Sequence, residues 1–163
     1  MIIIALGSNL SGVWGTPAQT IERALQVLNR WPTLVLKAAT PIVTAPFGNV
    51  NQPNFINTIA VIETALSPFA LLRHLQMIEH QAGRRRGRKW GPRTLDLDIV
   101  DYHGRVFKQL GLVQKNLVLP HPGIAQRLFV LQPIAEIASR WKHPLTHKSA
   151  LVMIQKLYRL KRP

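Results

Sequence analysis

Residues 84–102 read RRRGRKWGPRTLDLDIVDY, and the fold of the chain turns on how this stretch is read. Its second half, Leu95 to Val100, alternates Leu95, Leu97 and Ile99 with Asp96 and Asp98, the period-two pattern of a strand with one apolar face. Side chains alternate faces in a strand, so Asp96 and Asp98 project together on the face opposite the leucines. Their Cα atoms then stand roughly 6.6 Å apart at about 3.3 Å of rise per residue. Two bare carboxylates about 6 Å apart repel by about 3 kcal/mol at an effective dielectric near 20. The spacing demands positive charge, and Arg84, Arg85, Arg86, Arg88, Lys89 and Arg93 lie directly upstream.

Working outward, Ile2 to Leu6 is a short apolar strand ending in a Gly-Ser-Asn turn. Thr16, Pro17 and Gln19 form a helix start with a capping box, and Ile21, Ala24, Leu25 and Leu28 recur on one helical face. Thr33 to Thr44 reads as a strand interrupted at Pro41, and Phe55 to Thr64 as a clearer one. Ser67 and Pro68 start a second helix with Leu71, Leu75, Ile78 and Ala82 on its buried stripe and Gly83 at its end. With the strand at Leu95 the order is β-α-β-β-α-β, which predicts an α+β fold: a ferredoxin-like core with an antiparallel sheet. A short strand near Leu117, a helical stretch from Arg127 to Ala138 and a C-terminal helix from Thr146 to Leu160 are expected to follow. No linker or repeat divides residues 1–163, so a single domain is expected.

Composition narrows the class. Hydrophobic residues make up 47% and charged ones 17%, a globular balance. With no cysteine, neither disulfides nor thiolate metal sites are available. The opening MIIIAL lacks a basic leader and is far too short to span a membrane, so a cytoplasmic protein is expected. A balance of 21 basic to 7 acidic residues, net +14, favours anionic partners without saying which.

The paired carboxylates have two readings. In one, Arg93 or the loop arginines simply neutralise them. In the other they bind Mg²⁺, a hard ion that takes carboxylate oxygens together with substrate phosphates, and the arginines meet those phosphates. No G-x-x-x-x-G-K-[ST] run occurs, so a P-loop does not cradle the phosphates.

Three blocks carry a family resemblance: TAPFGNVNQPNFIN, WGPRTLDLDIVDY and LPHPGIAQRLFVLQPIAEIA. In this order they resemble 6-hydroxymethyl-7,8-dihydropterin pyrophosphokinase of folate biosynthesis, over nearly the whole chain. The resemblance implies transfer of the pyrophosphoryl unit of ATP to the pterin hydroxymethyl group with release of AMP. It implies two Mg²⁺ ions held by Asp96 and Asp98, and phosphate binding by Arg84 and Arg93, joined by His121 and Arg127. Leu72, Gln76, Glu79 and Ile99 fall to the nucleotide side. Leu72, Gln76 and Glu79 share a helix edge, which read without the resemblance is an ordinary solvated one. The pterin side falls to Thr44, Ala45, Phe47, Phe55, Asn57 and Phe129, with Trp90 as a closing lid. A flat polar heterocycle wants aromatic faces and an amide at its edge, and Phe55, Phe129 and Asn57 supply them.

The loop from Arg84 to Trp90 is one residue shorter than the family form and richer in arginine, so the phosphate partner among Arg85, Arg86, Arg88 and Lys89 stays open. ATP and the pterin are the expected partners of a monomer, with no nucleic acid and no membrane. The rival is an RNA-binding module, since the element order is shared. FINTIAVI lacks the aromatic run that such a sheet needs, which ranks the rival far below the enzyme.

Overall fold

The computed structural model of the chain describes residues 1–46, 51–85, 91–109 and 117–160. Strand β1 (Ile2–Ser8) is apolar on both faces, a pattern that requires cover on both. It lies inside an antiparallel sheet between β4 (Phe55–Thr64) and β5 (Asp96–Tyr102). Strand β2 (Thr33–Ala38) pairs with β4 and forms one edge, giving the order β2-β4-β1-β5, and β3 (Ile42–Thr44) pairs with the other end of β4. The interruption expected at Pro41 thus divides residues 33–44 into two strands.

Helix α1 (Pro17–Leu28) begins with the expected capping box of Thr16 and Gln19, and α2 (Pro68–Gln81) is capped by Ser67. Ile21, Ala24 and Leu28 of α1 and Leu71, Leu75 and Ile78 of α2 meet Ile2, Ile4 and Leu6 on one face of the sheet. Leu95, Leu97 and Ile99 enter the same core. The other face, with Ile3, Ile59, Val61 and Val100, is covered by α3 (Leu128–Ile137), Trp141 and α4 (Ala150–Leu160). The architecture is α+β, with helices on both faces of an antiparallel sheet.

Three local details depart from expectation. Strand β5 continues past Val100 to Tyr102 by way of a bulge: Ile4 faces Ile99 and Ile3 faces Asp101, leaving Val100 as the extra residue. The strand at Leu117 (β7, Leu117–Leu119) has an unanticipated antiparallel partner, β6 (Phe107–Gln109). The C-terminal helix starts at Ala150 rather than Thr146. His143 Nδ1 accepts the backbone N–H groups of Leu145 and Thr146, each at 3.3 Å, and His147 has a φ of 55°, so a turn occupies these positions.

The third carboxylate of the opening stretch, Asp101, is buried, and its work is structural. One oxygen accepts the Gly104 N–H at 2.8 Å and the other the Trp141 indole N–H at 2.6 Å. Trp141 itself is only 4% exposed. Trp141→Phe removes one donor from a buried carboxylate, and an unmet group of this kind costs about 1–3 kcal/mol. Urea denaturation should show a loss of that size, partly recovered when Asp101→Asn removes the charge in the same chain.

Candidate active site

The strand register builds the site. Gly7 of β1 lies opposite Asn57 of β4 on one side and Asp96 of β5 on the other, and Ala5 lies opposite Asp98. Residues directly opposite one another in antiparallel strands share a face, so Asn57, Gly7 and Asp96 form one rung. Two inter-strand steps of about 4.8 Å put the outer members roughly 10 Å apart. The central strand contributes almost no bulk between them. A cleft opens over this floor, walled by Thr44, Ala45 and Phe55 on one side and Arg93 and Asp98 on the other, with Arg127 and Phe129 of the α3 start above.

On the β4 side, Asn57 is buried and its amide donates to Thr44 Oγ1 at 2.7 Å. A Cβ at position 7 would lie 2.7 Å from Asn57 Oδ1, so only glycine lets that amide lean over the central strand. Phe129 approaches from α3, with the Arg127 guanidinium carbon 5.8 Å from its ring centroid.

On the β5 side, both oxygens of Asp96 are taken. Arg84 donates to one at 2.6 Å, and Arg93 donates to the other in a close ion pair. Arg84 also pairs closely with Glu79. Burial would lower the pKa of Arg84, but Asp96 and then Glu79 more than offset this and hold it above its ordinary value. Glu79 is 4% exposed, which overturns the solvated-edge reading for this residue. Its carboxylate accepts the Leu97 N–H at 2.8 Å, joining α2 to the outer side of β5.

Asp98 is placed differently. Its nearest charge partner is His121, with Nε2 at 3.8 Å from Oδ2. Desolvation raises the Asp98 pKa, the Asp96 charge raises it further, and His121, Arg127 and Arg93 pull the other way. The bulge at Val100 sets His121 in place, because the Val100 carbonyl accepts the His121 N–H at 3.0 Å. His121 Nδ1 accepts the Gly123 N–H at 3.1 Å, so in the neutral ring Nε2 carries the proton. Desolvation also lowers the His121 pKa, in keeping with a neutral imidazole.

As a metal site, Asp96 and Asp98 offer hard oxygen donors on one face of a strand. No group of three or more His, Cys, Asp or Glu that could hold a metal ion occurs among the described residues. An ion bound here draws the rest of its shell from phosphate and water, the habit of Mg²⁺ rather than of Zn²⁺ or Ca²⁺. The donor set fits Mg²⁺.

Among the expected site residues, Thr44, Ala45, Phe55, Asn57, Arg93, Asp96, Asp98, Arg127 and Phe129 line the cleft. Arg84, Glu79 and His121 reach it through Asp96 and Asp98. Leu72 packs against the α1–α2 core, Ile99 is buried in that core, and Gln76 is half-buried on α2. Phe47, Trp90, Arg86, Arg88 and Lys89 lie outside the described residues.

Sequence reasoning missed Ser8 and Asn9. Asn9 is 2% exposed; its Oδ1 accepts the Arg93 N–H at 2.8 Å, and its Nδ2 donates to Gln52 Oε1 and the Pro53 carbonyl, each at 3.2 Å. The Arg93 carbonyl in turn accepts the Asn9 and Leu10 N–H groups, and Ser8 Oγ donates to the Thr94 carbonyl at 2.6 Å. The Gly-Ser-Asn turn is therefore the clamp between the arginine segment and the loop before β4. Its only sequence signal was a run of small hydrogen-bonding residues at a strand end.

Comparison with known proteins gives a consistent result. Residues 3–139 match the family model described as 7,8-dihydro-6-hydroxymethylpterin-pyrophosphokinase. The chain is 40% identical over 144 residues to the 2-amino-4-hydroxy-6-hydroxymethyldihydropteridine pyrophosphokinase of Pseudomonas aeruginosa, covering 88% of this chain and 83% of that protein. It is 40% identical over 137 residues to the protein of the same name from Haemophilus influenzae, covering 83% and 80%. For that of Bacillus subtilis, identity is 38% over 138 residues, covering 84% and 77%.

The clamp makes a prediction independent of any ligand. Asn9→Ala leaves the part-buried Arg93 N–H without its acceptor, which costs about 1–3 kcal/mol, while the exposed Pro53 carbonyl can turn to water. Denaturation should report a loss within that range. Amide exchange should speed up at Arg93 and in the loop before β4 while the β1–β4 ladder stays protected.

Proposed function

Since this chain belongs to the 7,8-dihydro-6-hydroxymethylpterin-pyrophosphokinase family, we propose that the cleft is its active site and that the two ends of the Asn57–Gly7–Asp96 rung divide the substrates between them. The enzyme transfers pyrophosphate from ATP to the hydroxymethyl group of 6-hydroxymethyl-7,8-dihydropterin, giving AMP and the pterin diphosphate. The hydroxymethyl oxygen forms a bond to the β-phosphorus as the bond from that phosphorus to the α-phosphate oxygen breaks. The hydroxyl proton is released, and the electron pair of the broken bond leaves with AMP.

One observation carries the assignment of roles: the buried Asn57 amide, in a cleft that Phe55 and Phe129 also line, shares a rung with the arginine-paired Asp96 across Gly7, which has no side chain. Phe55 and Phe129 take the faces of the pterin, Asn57 its hydrogen-bonding edge, and Thr44 orients the Asn57 amide. Asp96 and Asp98 hold two Mg²⁺ ions, which when bound neutralise phosphate charge and polarise the transferring group. Arg93 and Arg84 bind the phosphate oxygens, with Arg127 above and the His121 Nε2–H as a neutral donor near Asp98. Leu72, Gln76, Glu79 and Ile99 belong to the nucleotide side, Glu79 by holding Arg84, and Phe47 and Trp90 to the pterin side. With no nucleophilic side chain required, catalysis is positioning and charge neutralisation.

The strand order β2-β4-β1-β5, antiparallel throughout and with α1 and α2 on one face, supports a ferredoxin-like core in a single domain. A monomer as the working unit and a cytoplasmic location, where ATP is at hand, complete the proposal.

Protein mixed with ATP, Mg²⁺ and the hydroxymethyldihydropterin should yield AMP, and accumulation of ADP instead would contradict the reading. Asp96→Asn or Asp98→Asn should reduce turnover to below a tenth while the protein stays folded, because each relieves like-charge repulsion in the metal-free state, which for Asp96 offsets part of the loss of its two arginine pairs. Asn57→Ala should weaken pterin binding by roughly 5- to 150-fold, for about 1–3 kcal/mol, and leave nucleotide binding nearly unchanged in calorimetric titrations. An equal loss for both ligands would make Asn57 a structural residue.

A further inference from the structure

Among the described residues, Arg84 and Arg93 are the cations paired with Asp96, one at each oxygen. Each Asp96 oxygen therefore already accepts from a guanidinium, and a metal ion approaching this carboxylate meets positive charge at both oxygens. Asp98, by contrast, has no arginine within ion-pair distance among the described residues, and the His121 imidazole stands 3.8 Å away. From this asymmetry we infer that the two arginines set the specificity of the site for its metal. They exclude the free divalent cation and admit the metal–polyphosphate complex, because only that complex gives the displaced guanidinium groups new anionic partners. The inference rests on the roles assigned above to Asp96 and the arginines.

The physical argument is an exchange of partners. A lone cation entering at Asp96 breaks or weakens its ion pairs and leaves two guanidinium groups beside a dication, a repulsive arrangement within a few ångströms. A cation arriving with a polyphosphate breaks the same pairs, but each arginine then turns to a phosphate oxygen in a charge-assisted hydrogen bond. Glu79 keeps the exchange local. It is buried, fixed to β5 through the Leu97 N–H, and paired with Arg84, so Arg84 stays tethered beside the site when Asp96 releases it. Arg93 is tethered through its backbone, which Asn9 holds from both sides.

The consequence is that removing an arginine has effects of opposite sign on two ligands. In the wild type, Mn²⁺ alone, followed through the electron paramagnetic resonance signal of the free ion, should bind weakly. Arg93→Ala should bind Mn²⁺ alone roughly fivefold or more tightly, the scale of a partly exposed ion pair plus the relief of repulsion. The same variant should bind the Mg²⁺ complex of a non-hydrolysable ATP analogue at least about tenfold more weakly. Adding Asp96→Asn to Arg93→Ala should abolish the gain for Mn²⁺, since the gain acts through that carboxylate. Arg84→Ala provides a second, independent variant and should shift both ligands in the same directions. Thermal unfolding of each variant, measured alongside, confirms that folded protein is compared.

An unchanged or weakened affinity for Mn²⁺ in both folded arginine variants, with nucleotide binding lost, overturns the exclusion and leaves the phosphate roles standing. Tighter Mn²⁺ binding with unchanged nucleotide affinity overturns the phosphate roles and the admission half of the inference together. A gain for Mn²⁺ that survives Asp96→Asn also overturns it, because the ion is then held elsewhere.

Discussion

Strand β1 lies between β4 and β5 with large apolar side chains on both faces at its start, and those side chains give way to Ala5 and Gly7 toward its end. The bulky end is the junction of two cores, one under α1 and α2 and the other under α3 and α4. Leu6 at this end still joins the first core, but on the α3 side Ala5 and Gly7 are too small to fill the space between sheet and helix. A cleft on the α3 side is the geometric result. Its floor puts Asn57 and Asp96 on one rung while the width of the central strand keeps the amide away from the carboxylate. Had position 7 carried a Cβ, the amide would have been pushed off the floor and the two sides of the cleft would have lost their common rung.

The seven acidic residues show how environment, rather than residue type, decides the use of a charge. Glu22, Glu63 and Glu136 are exposed. Glu79 and Asp101 are buried and spend their oxygens on backbone N–H groups, an indole and an arginine, so they act as joints between elements distant in sequence. Asp96 and Asp98 stand at the cleft, one doubly paired with arginine and the other pushed toward protonation by desolvation and by its neighbour. The opening stretch needs its dense positive charge whether or not a ligand is bound, since these carboxylates share a strand face.

Much of this was legible because it is local. Period-two alternation fixed which face Asp96 and Asp98 share, and capping residues fixed where α1 and α2 begin. The bounds of β4 followed from a run of β-branched residues between turn signals. The illegible parts depend on partners far along the chain. That Asn9 clamps Arg93 needs a contact across 84 positions, and that Asp101 meets Trp141 needs one across 40. The bulge at Val100 leaves no trace in an apolar run, yet it releases the carbonyl that seats His121. The helix expected from Thr146 starts only at Ala150, because His143 claims the N–H groups of Leu145 and Thr146 for a turn. Glu79 misled for a related reason: periodicity placed it at the margin of the apolar stripe, and only the edge of β5 shows that this margin is inside.

The second core has a consequence for how the polypeptide is made. Ile3, Ile59, Val61 and Val100 are in place once β5 has been synthesised, but their cover comes from Val130, Leu131, Ile134, Trp141 and Met153. A nascent chain that has reached Tyr102 on the ribosome can pair its four long strands and bring together most of the first core, which still awaits Leu117 and Leu119, yet its sheet shows the other apolar face to water. Exposed surface of this kind makes partly built chains prone to aggregation. The last third of translation therefore finishes the folded protein as well as lengthening it, and a message truncated within that third would yield a chain whose sheet is complete and whose solubility is not.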